Sequence, residues 1–238
     1  MAELVKIIKQ RNEQVAISMI NENTAKYIDK DNNTLLHHAC MRNMPTVAMA
    51  LIETGYVKLD HTNCDKYTAL ILACMNNMTN VAHALIASGQ SKPEHIDGNG
   101  NTAMIMACRN KLYSVATALL ISGYALPNHR DRSKNTALSW CCSIDGMEEI
   151  AISLINIMDN SRIGQCDEFG DTALMRACMT RKSDVALALI ATGYAKPEHI
   201  SVEEYNPNDG QPVPYSALGW ARKRRMHKVI KALQLIDL

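Results

Sequence analysis

The chain has 238 residues, an apolar share of 47% and a formal net charge of +1, which exclude a disordered polyelectrolyte and fit a folded soluble protein. One Phe and two Trp stand against 14 Met, a balance that favours thin layers of helices over a large aromatic core or a sandwich sheet. The charge is unevenly placed, because residues 215–238 hold six Lys and Arg against one acid while the rest of the chain carries an excess of acids.

The N-terminal segment Met1-Ala-Glu-Leu-Val-Lys lacks the apolar stretch and small-residue cleavage site of a secretory signal. The longest apolar stretch, around Ile150 to Met158, is too short and interrupted to span a bilayer. A soluble intracellular protein is expected. Residues 1–31 predict two short helices, Glu3 to Lys9 and Gln14 to Ile20.

From there the chain repeats itself. Thr34-Leu-Leu, Thr68-Ala-Leu, Thr102-Ala-Met, Thr136-Ala-Leu and Thr172-Ala-Leu are followed by the variant Ser216-Ala-Leu, at spacings of 34, 34, 34, 36 and 44. Six residues after each Thr stands a cysteine: Cys40, Cys74, Cys108, Cys142 and Cys178. Each Thr follows a polar run and can accept a hydrogen bond from the free N–H groups of a first helical turn, as an N-cap does. About ten mostly apolar residues follow, then a polar break such as Met75-Asn-Asn-Met, then a second helix such as Asn80-Val-Ala-His-Ala-Leu-Ile. That second helix ends at Gly55, Gly89, Gly123 and Gly193, where a residue tolerating positive φ closes the last turn.

So short a helix pair cannot bury its apolar face alone, so the copies must stack on one another. The reading is an all-α solenoid of helix-turn-helix units, about seven counting both caps. They run 1–31 (N-cap unit), 32–65, 66–99, 100–133, 134–169, 170–213 and 214–238 (C-cap unit), in a single domain over 1–238. Between His199 and Ser216 ten extra residues enter one loop tip. This 201–215 insertion, with Asn-Pro and Asp-Gly turn signals between Tyr205 and Tyr215, is expected to project as a finger. The fourth copy is irregular too, with Cys141-Cys-Ser-Ile-Asp-Gly lengthening its turn and Met158 where the Gly stop belongs.

The pattern Asp-x-x-Gly-x-Thr-x-Leu, best seen in Asp97-Gly-Asn-Gly-Asn-Thr and Asp167-Glu-Phe-Gly-Asp-Thr, resembles the ankyrin repeat over essentially the whole chain. Ala replaces the usual Pro after Thr in most copies, and the His of the Thr-Pro-Leu-His motif survives only as His37. Ile71, Ile105 and Met175 stand in its place and substitute apolar packing. Such Met-rich and Asn-rich variants resemble ankyrin proteins of large DNA viruses.

Several features invite chemistry and are better explained by packing. Equivalent positions of stacked units lie about 10 Å apart, the spacing of packed helices, so the cysteine ladder can share neither a zinc ion nor disulfides. The same distance applies to His61, His95, His129 and His199, a ladder in which Gln165 replaces one member; bridging of successive loops is expected of it. His37-His38 beside Cys40 lacks a further ligand. Asp29-Lys-Asp31 begins like a calcium loop but has Cys40 where a bidentate Glu is required. Gly98-Asn-Gly follows no strand, and no nucleophile stands beside a base. Neither catalysis, a metal nor a cofactor is expected. Arg222-Lys-Arg-Arg225 reads as a solvated turn of the last cap, with nuclear import an alternative. Nucleic-acid contact is disfavoured because no basic stripe continues along the other units.

The resemblance implies a concave face formed by the loop tips and the solvent side of the first helices. Seven residues past Thr stand Met41, Met75, Arg109 and Met179; near the tips stand Tyr67 and Phe169; Tyr205 and Tyr215 flank the finger. A ridge of Met, Tyr, Phe and Arg is the composition of a protein interface, though the same Met could fold into the core. The function implied is a scaffold or adaptor, monomeric and cytoplasmic, that binds another protein and no membrane. An inhibitor that occludes a partner enzyme, or an enzyme whose site the sequence does not reveal, are the alternatives.

Overall fold

The computed structural model describes residues 2–205 and 212–236, and for 2, 202–205 and 212–214 the backbone alone. The chain divides into two compact units, residues 1–126 and 127–238, each a stack of helix-turn-helix repeats.

The first unit holds α1 (Ala2–Lys9), α2 (Glu13–Ser18), α3 (Glu22–Ala25), α4 (Leu35–Met41), α5 (Pro45–Glu53), α6 (Ala69–Met75), α7 (Thr79–Ala87), α8 (Ala103–Arg109) and α9 (Tyr113–Ile121). Within it α4, α6 and α8 pack side by side, each also packs on its own second helix, and the second helices α5, α7 and α9 form a parallel row. At the N-terminal end α1 packs on α4 and α2 on α5.

The second unit holds α10 (Ala137–Ser143), α11 (Glu148–Ile157), α12 (Asn160–Ile163), α13 (Ala173–Met179), α14 (Ser183–Ala191), β1 (Ile200–Tyr205), β2 (Pro212–Ser216), α15 (Ala217–Lys223) and α16 (His227–Gln234). Its packing follows the same scheme, α10 on α13 on α15 and α11 on α14 on α16.

The N-cap expectation holds at every copy. Thr34, Thr68, Thr102, Thr136, Thr172 and Ser216 each accept a hydrogen bond from the backbone N–H three residues on. Behind the cap the helix is buried nearly all round, with Leu70, Ile71 and Cys74, for example, at 3% exposure or less. Within each unit, successive loop tips are then tied together. Cys64 N–H donates to Asp31 O, Gly98 N–H to Asp65 O and Glu168 N–H to Ser133 O. A Cβ at Gly98 would lie 2.7 Å from the Asp65 oxygen, so the tie requires glycine there. The histidine ladder bridges the same loops: His61 Nε2 bonds Asn32 O (3.1 Å), His95 Nε2 bonds Lys66 O (2.8 Å) and His199 Nε2 bonds Gly170 O (2.8 Å). Each carbonyl belongs to a residue of positive φ, which turns it toward the next repeat.

Two departures from the sequence reading stand out. Gln165 does not continue the ladder; its Oε1 is buried without a partner. Arg130 holds the turn instead, donating from Nε to Lys134 O (3.0 Å) and from Nη2 to Cys166 O. The all-helical reading also lacks the 201–215 insertion's true form. Its arms pair as an antiparallel ribbon with Ile200 opposite Ser216 and Tyr205 opposite Pro212, bulged between Val202 and Glu204. The Asn-Pro and Asp-Gly signals, at 206–211, lie outside the described residues.

The irregular fourth copy has its own solution. Met158 takes an extended conformation in place of the Gly stop, and the chain adds the short helix α12 before the next tip. Its lengthened turn supplies Asp145 and Glu148 to Lys182, whose ammonium occupies the position filled by Met44, Met78, Leu112 and Met147 elsewhere. The Lys182 side chain is 2% exposed. Burial raises the Glu148 carboxyl, but the bond and charge of Lys182 together with backbone hydrogen bonds at Glu148 and Gly146 outweigh it, and the net shift is downward.

His37 keeps a full set of partners in the first unit. Its Nε2 donates to Tyr67 O (3.0 Å) and its Nδ1 accepts from Thr34 Oγ1 (2.7 Å), which assigns the neutral ring. Burial pushes its pKa down from 6.5 to about 4, against the Tyr67 bond that favours the charged form. The unfolded chain therefore binds a proton below 6.5 that the folded chain refuses until about 4, and stability falls as pH drops across that window. His37→Ile, the residue type of the neighbouring copies, should flatten this fall by on the order of 3 kcal/mol. Denaturant unfolding of both proteins at pH about 7 and about 4.5 measures it; equal slopes would show that His37 is not the group responsible.

Candidate functional site

The first helices are seven residues long, so the residue seven past the cap ends the helix, on the turn where it meets solvent. Hydrogen bonds bring neighbouring ends into line. In the first unit Asn110 Nδ2 donates to Cys74 O (2.9 Å), and in the second Thr180 Oγ1 donates to Cys142 O (2.6 Å).

In the first unit this places Met41, Met75 and Arg109 at the same ends of three successive packed helices, all exposed, the two Met at 37% each. Their neighbours Cys40, Cys74 and Cys108 are fully buried. Tyr67 does not join them. It precedes the cap at the opposite end of α6, about 10 Å away along a helix of that length, half-buried and receiving Asn99 Nδ2 on its hydroxyl (3.0 Å).

In the second unit Met179 ends α13 and is half-buried, while Phe169 stands on a loop tip at 64% exposure. Tyr215 is packed rather than offered: its ring stacks on Trp220 at 4.5 Å between centroids, and Lys223 Nζ lies 4.7 Å from it. Tyr205 belongs to β1, and its side chain lies outside the described residues. The basic cluster Arg222, Lys223, Arg224 and Arg225 is exposed at the end of α15 and the turn after it.

Among the described residues no group of three or more His, Cys, Asp and Glu could hold a metal ion. All eight cysteines are free thiols. Burial pushes the thiols of Cys40, Cys74 and Cys178 up to about 12, and that of Cys142 further up, which removes the thiolate that nucleophilic or metal chemistry needs. His38 and Asp29 form a buried pair at 2.8 Å. Burial lowers the His38 pKa despite the carboxylate, so the ring is a neutral donor to Asp29 and the pair secures the tip before α4.

With the repeat and its exposed face in view, the comparisons decide the family. A family model described as ankyrin repeats (three copies) matches residues 3–96 and 57–131, more than half of the chain. The chain belongs to the ankyrin repeat family. Ankyrin repeats are protein–protein interaction modules and are typically not enzymes. A search of curated proteins finds no match.

Solved structures share the fold at low identity. A human ASB11 ankyrin repeat domain is 19% identical, with 98% of this chain and 96% of that one covered and a TM-score of 0.62. An ankyrin repeat domain from Acinetobacter baumannii is 22% identical, with 84% and 96% covered and a TM-score of 0.64. A chain from the complex of the Bd0816 predatory endopeptidase of Bdellovibrio bacteriovorus with immunity protein Bd3460 is 20% identical, with 87% and 98% covered and a TM-score of 0.62. Among the described residues no helix is long and apolar enough to cross a membrane.

One cluster escaped the sequence reading. Arg130, Lys134 and Lys196 surround a cavity in the second unit; the interruption of the histidine ladder at Gln165 was its only trace in the sequence.

Two measurements separate surface from core on this ankyrin fold. Met75→Ala should leave the melting temperature nearly unchanged, whereas Leu85→Ala, at a fully buried site, should cost about 2–5 kcal/mol. If both melt equally early, Met75 is a core residue. In thiol labelling of the native protein, the exposed Cys64 should react first and Cys40, Cys74, Cys142 and Cys178 only on unfolding. Rapid labelling of all of them would contradict the burial described.

Proposed function

We propose that this ankyrin protein is a non-enzymatic docking module, a scaffold or adaptor that holds a partner protein on the exposed ends of its first helices. It works without a cofactor, as a monomer, in the cytoplasm, with the exposed 222–225 cluster available to an import receptor. The observation that carries the reading is the row of Met41, Met75 and Arg109 in the first unit. Two adaptable apolar side chains and a cation are held at register on packed helices whose other faces are buried, and none of the three fills the core. Such a composition suits an apolar partner surface with acids at its margin. In the second unit Met179 and Phe169 offer the same chemistry, with the 201–215 ribbon nearby in sequence.

The same face serves an inhibitor that occludes a partner enzyme, a reading favoured by the likeness to a chain from an endopeptidase and immunity protein complex. Assay of the partner's activity separates the two, since a scaffold leaves it intact and an inhibitor abolishes it.

Once a partner is captured from the native cell, calorimetry with Met75→Ala and Arg109→Ala should show each weakening binding by about 1–3 kcal/mol. Leu119→Ala, at a fully buried site, should act on the melt instead. Unchanged affinity in the two surface variants would move the partner off this face.

A further inference from the structure

In the second unit three loop stretches, 130–134, 164–166 and 196–199, close around a cavity of about 260 Å³ lined by Arg130, Lys134, Lys196, His199, Gln165 and Cys166. Three of these side chains are basic and none is an acid. The ion pairs of this unit join Arg176 to Asp167 and Lys182 to Asp145 and Glu148; among the described residues none involves Arg130, Lys134 or Lys196. Like charges gathered at a concavity focus a positive potential into it, and an anion is what relieves their repulsion.

The arrangement is built by specific residues. Because Gln165 stands where the ladder has histidine, the Lys134 carbonyl is taken by Arg130 Nε, and Arg130 Nη2 bonds Cys166 O. Two backbone oxygens thus fix the guanidinium plane and leave its other amino nitrogen for a ligand. Gly164, which also lines the cavity, lets the 194–196 segment come close: a Cβ there would lie 2.4 Å from Tyr194 O and 2.8 Å from Lys196 Cγ. That approach brings Lys196 to the cavity. Gln165 Oε1 is buried and unpartnered, a costly state for an amide. It would accept from a protonated oxyanion, and the opposite amide orientation offers N–H donors to an ionised one.

We propose that this cavity binds a phosphate-class oxyanion, as free phosphate or as a phosphomonoester carried by a larger ligand. Three cations match a dianion better than a carboxylate, whose single charge would leave two of them uncompensated, and a fixed guanidinium suits a tetrahedral oxyanion. The site is separate from the Met and Arg row of the first unit and stands whether or not that face docks a protein.

The test is a titration of the full chain, followed by amide NMR, with inorganic phosphate against sodium chloride at matched ionic strength. A second arm uses a short peptide bearing one phosphoserine, with its unphosphorylated form as control. Saturable shifts confined to 130–134, 164–166 and 196–199 are expected. Lys134→Gln and Lys196→Gln, both at exposed lysines, should each weaken binding about three- to tenfold with unchanged melts. Saturation by inorganic phosphate without binding of the phosphopeptide assigns a free phosphate. Tighter binding of the phosphopeptide, displaced by inorganic phosphate, assigns a phosphomonoester. Binding of neither, shifts spread over other lysines, or a fully folded double variant that binds like the native chain would overturn the proposal.

Discussion

A helix of two turns does not persist by itself in water, and the first helix of each repeat, from α4 to α15, has seven residues. Its stability comes from contact with its own partner helix and with the neighbouring first helices of its unit. The N-cap hydroxyl fixes where such a helix starts, and in the five copies from α4 to α13 the buried cysteine six residues on fixes its inner face. The candidate docking face follows from that limit of length, because in the first unit the residue seven past the cap, Met41, Met75 or Arg109, stands exposed at the helix end.

The loop tips obey a second accounting. They carry backbone carbonyls from positive-φ residues that would be left unsatisfied as the repeats close on one another. An imidazole from the following repeat meets three of them, and an arginine from the same turn meets a fourth. The rigidity of these tips is therefore a property of pairs of repeats rather than of any single loop.

Much of this was legible in the sequence because it is periodic. A cap, a small buried residue and a glycine stop recurring at one spacing identify the unit whatever fills the remaining positions, and the capping hydroxyls and the histidine bridges are found where the period puts them. What the sequence hid lies where the period breaks. The alternation in Ser201-Val-Glu-Glu-Tyr is too short to outweigh the helical context, so the ribbon read as a loop. Gln165 looked like a conservative polar substitute for histidine, yet a shorter reach to the Lys134 carbonyl falls to Arg130, a residue outside the ladder. Tyr215 read as an interface tyrosine because its stacking on Trp220 depends on the ribbon returning beside α15. For the exposed row, helix register sufficed for Met41 and Met75, and Tyr67 stands beside the cap at the other end of α6, where its place before Thr68 puts it.

Lys182 bears on how such a chain can change. Repeat proteins lengthen by duplicating a unit, which succeeds when a copy meets its neighbour as the original did. The fifth repeat buries an ammonium that only the turn of the fourth, with Asp145 and Glu148, can neutralise. A tandem duplicate would set its own lysine against Ser183, uncharged, where the fourth repeat offers Glu148, and a buried ion without its partner costs about 3–5 kcal/mol. The pair couples these two repeats, so a copy of the fifth without the fourth before it would leave its lysine unneutralised.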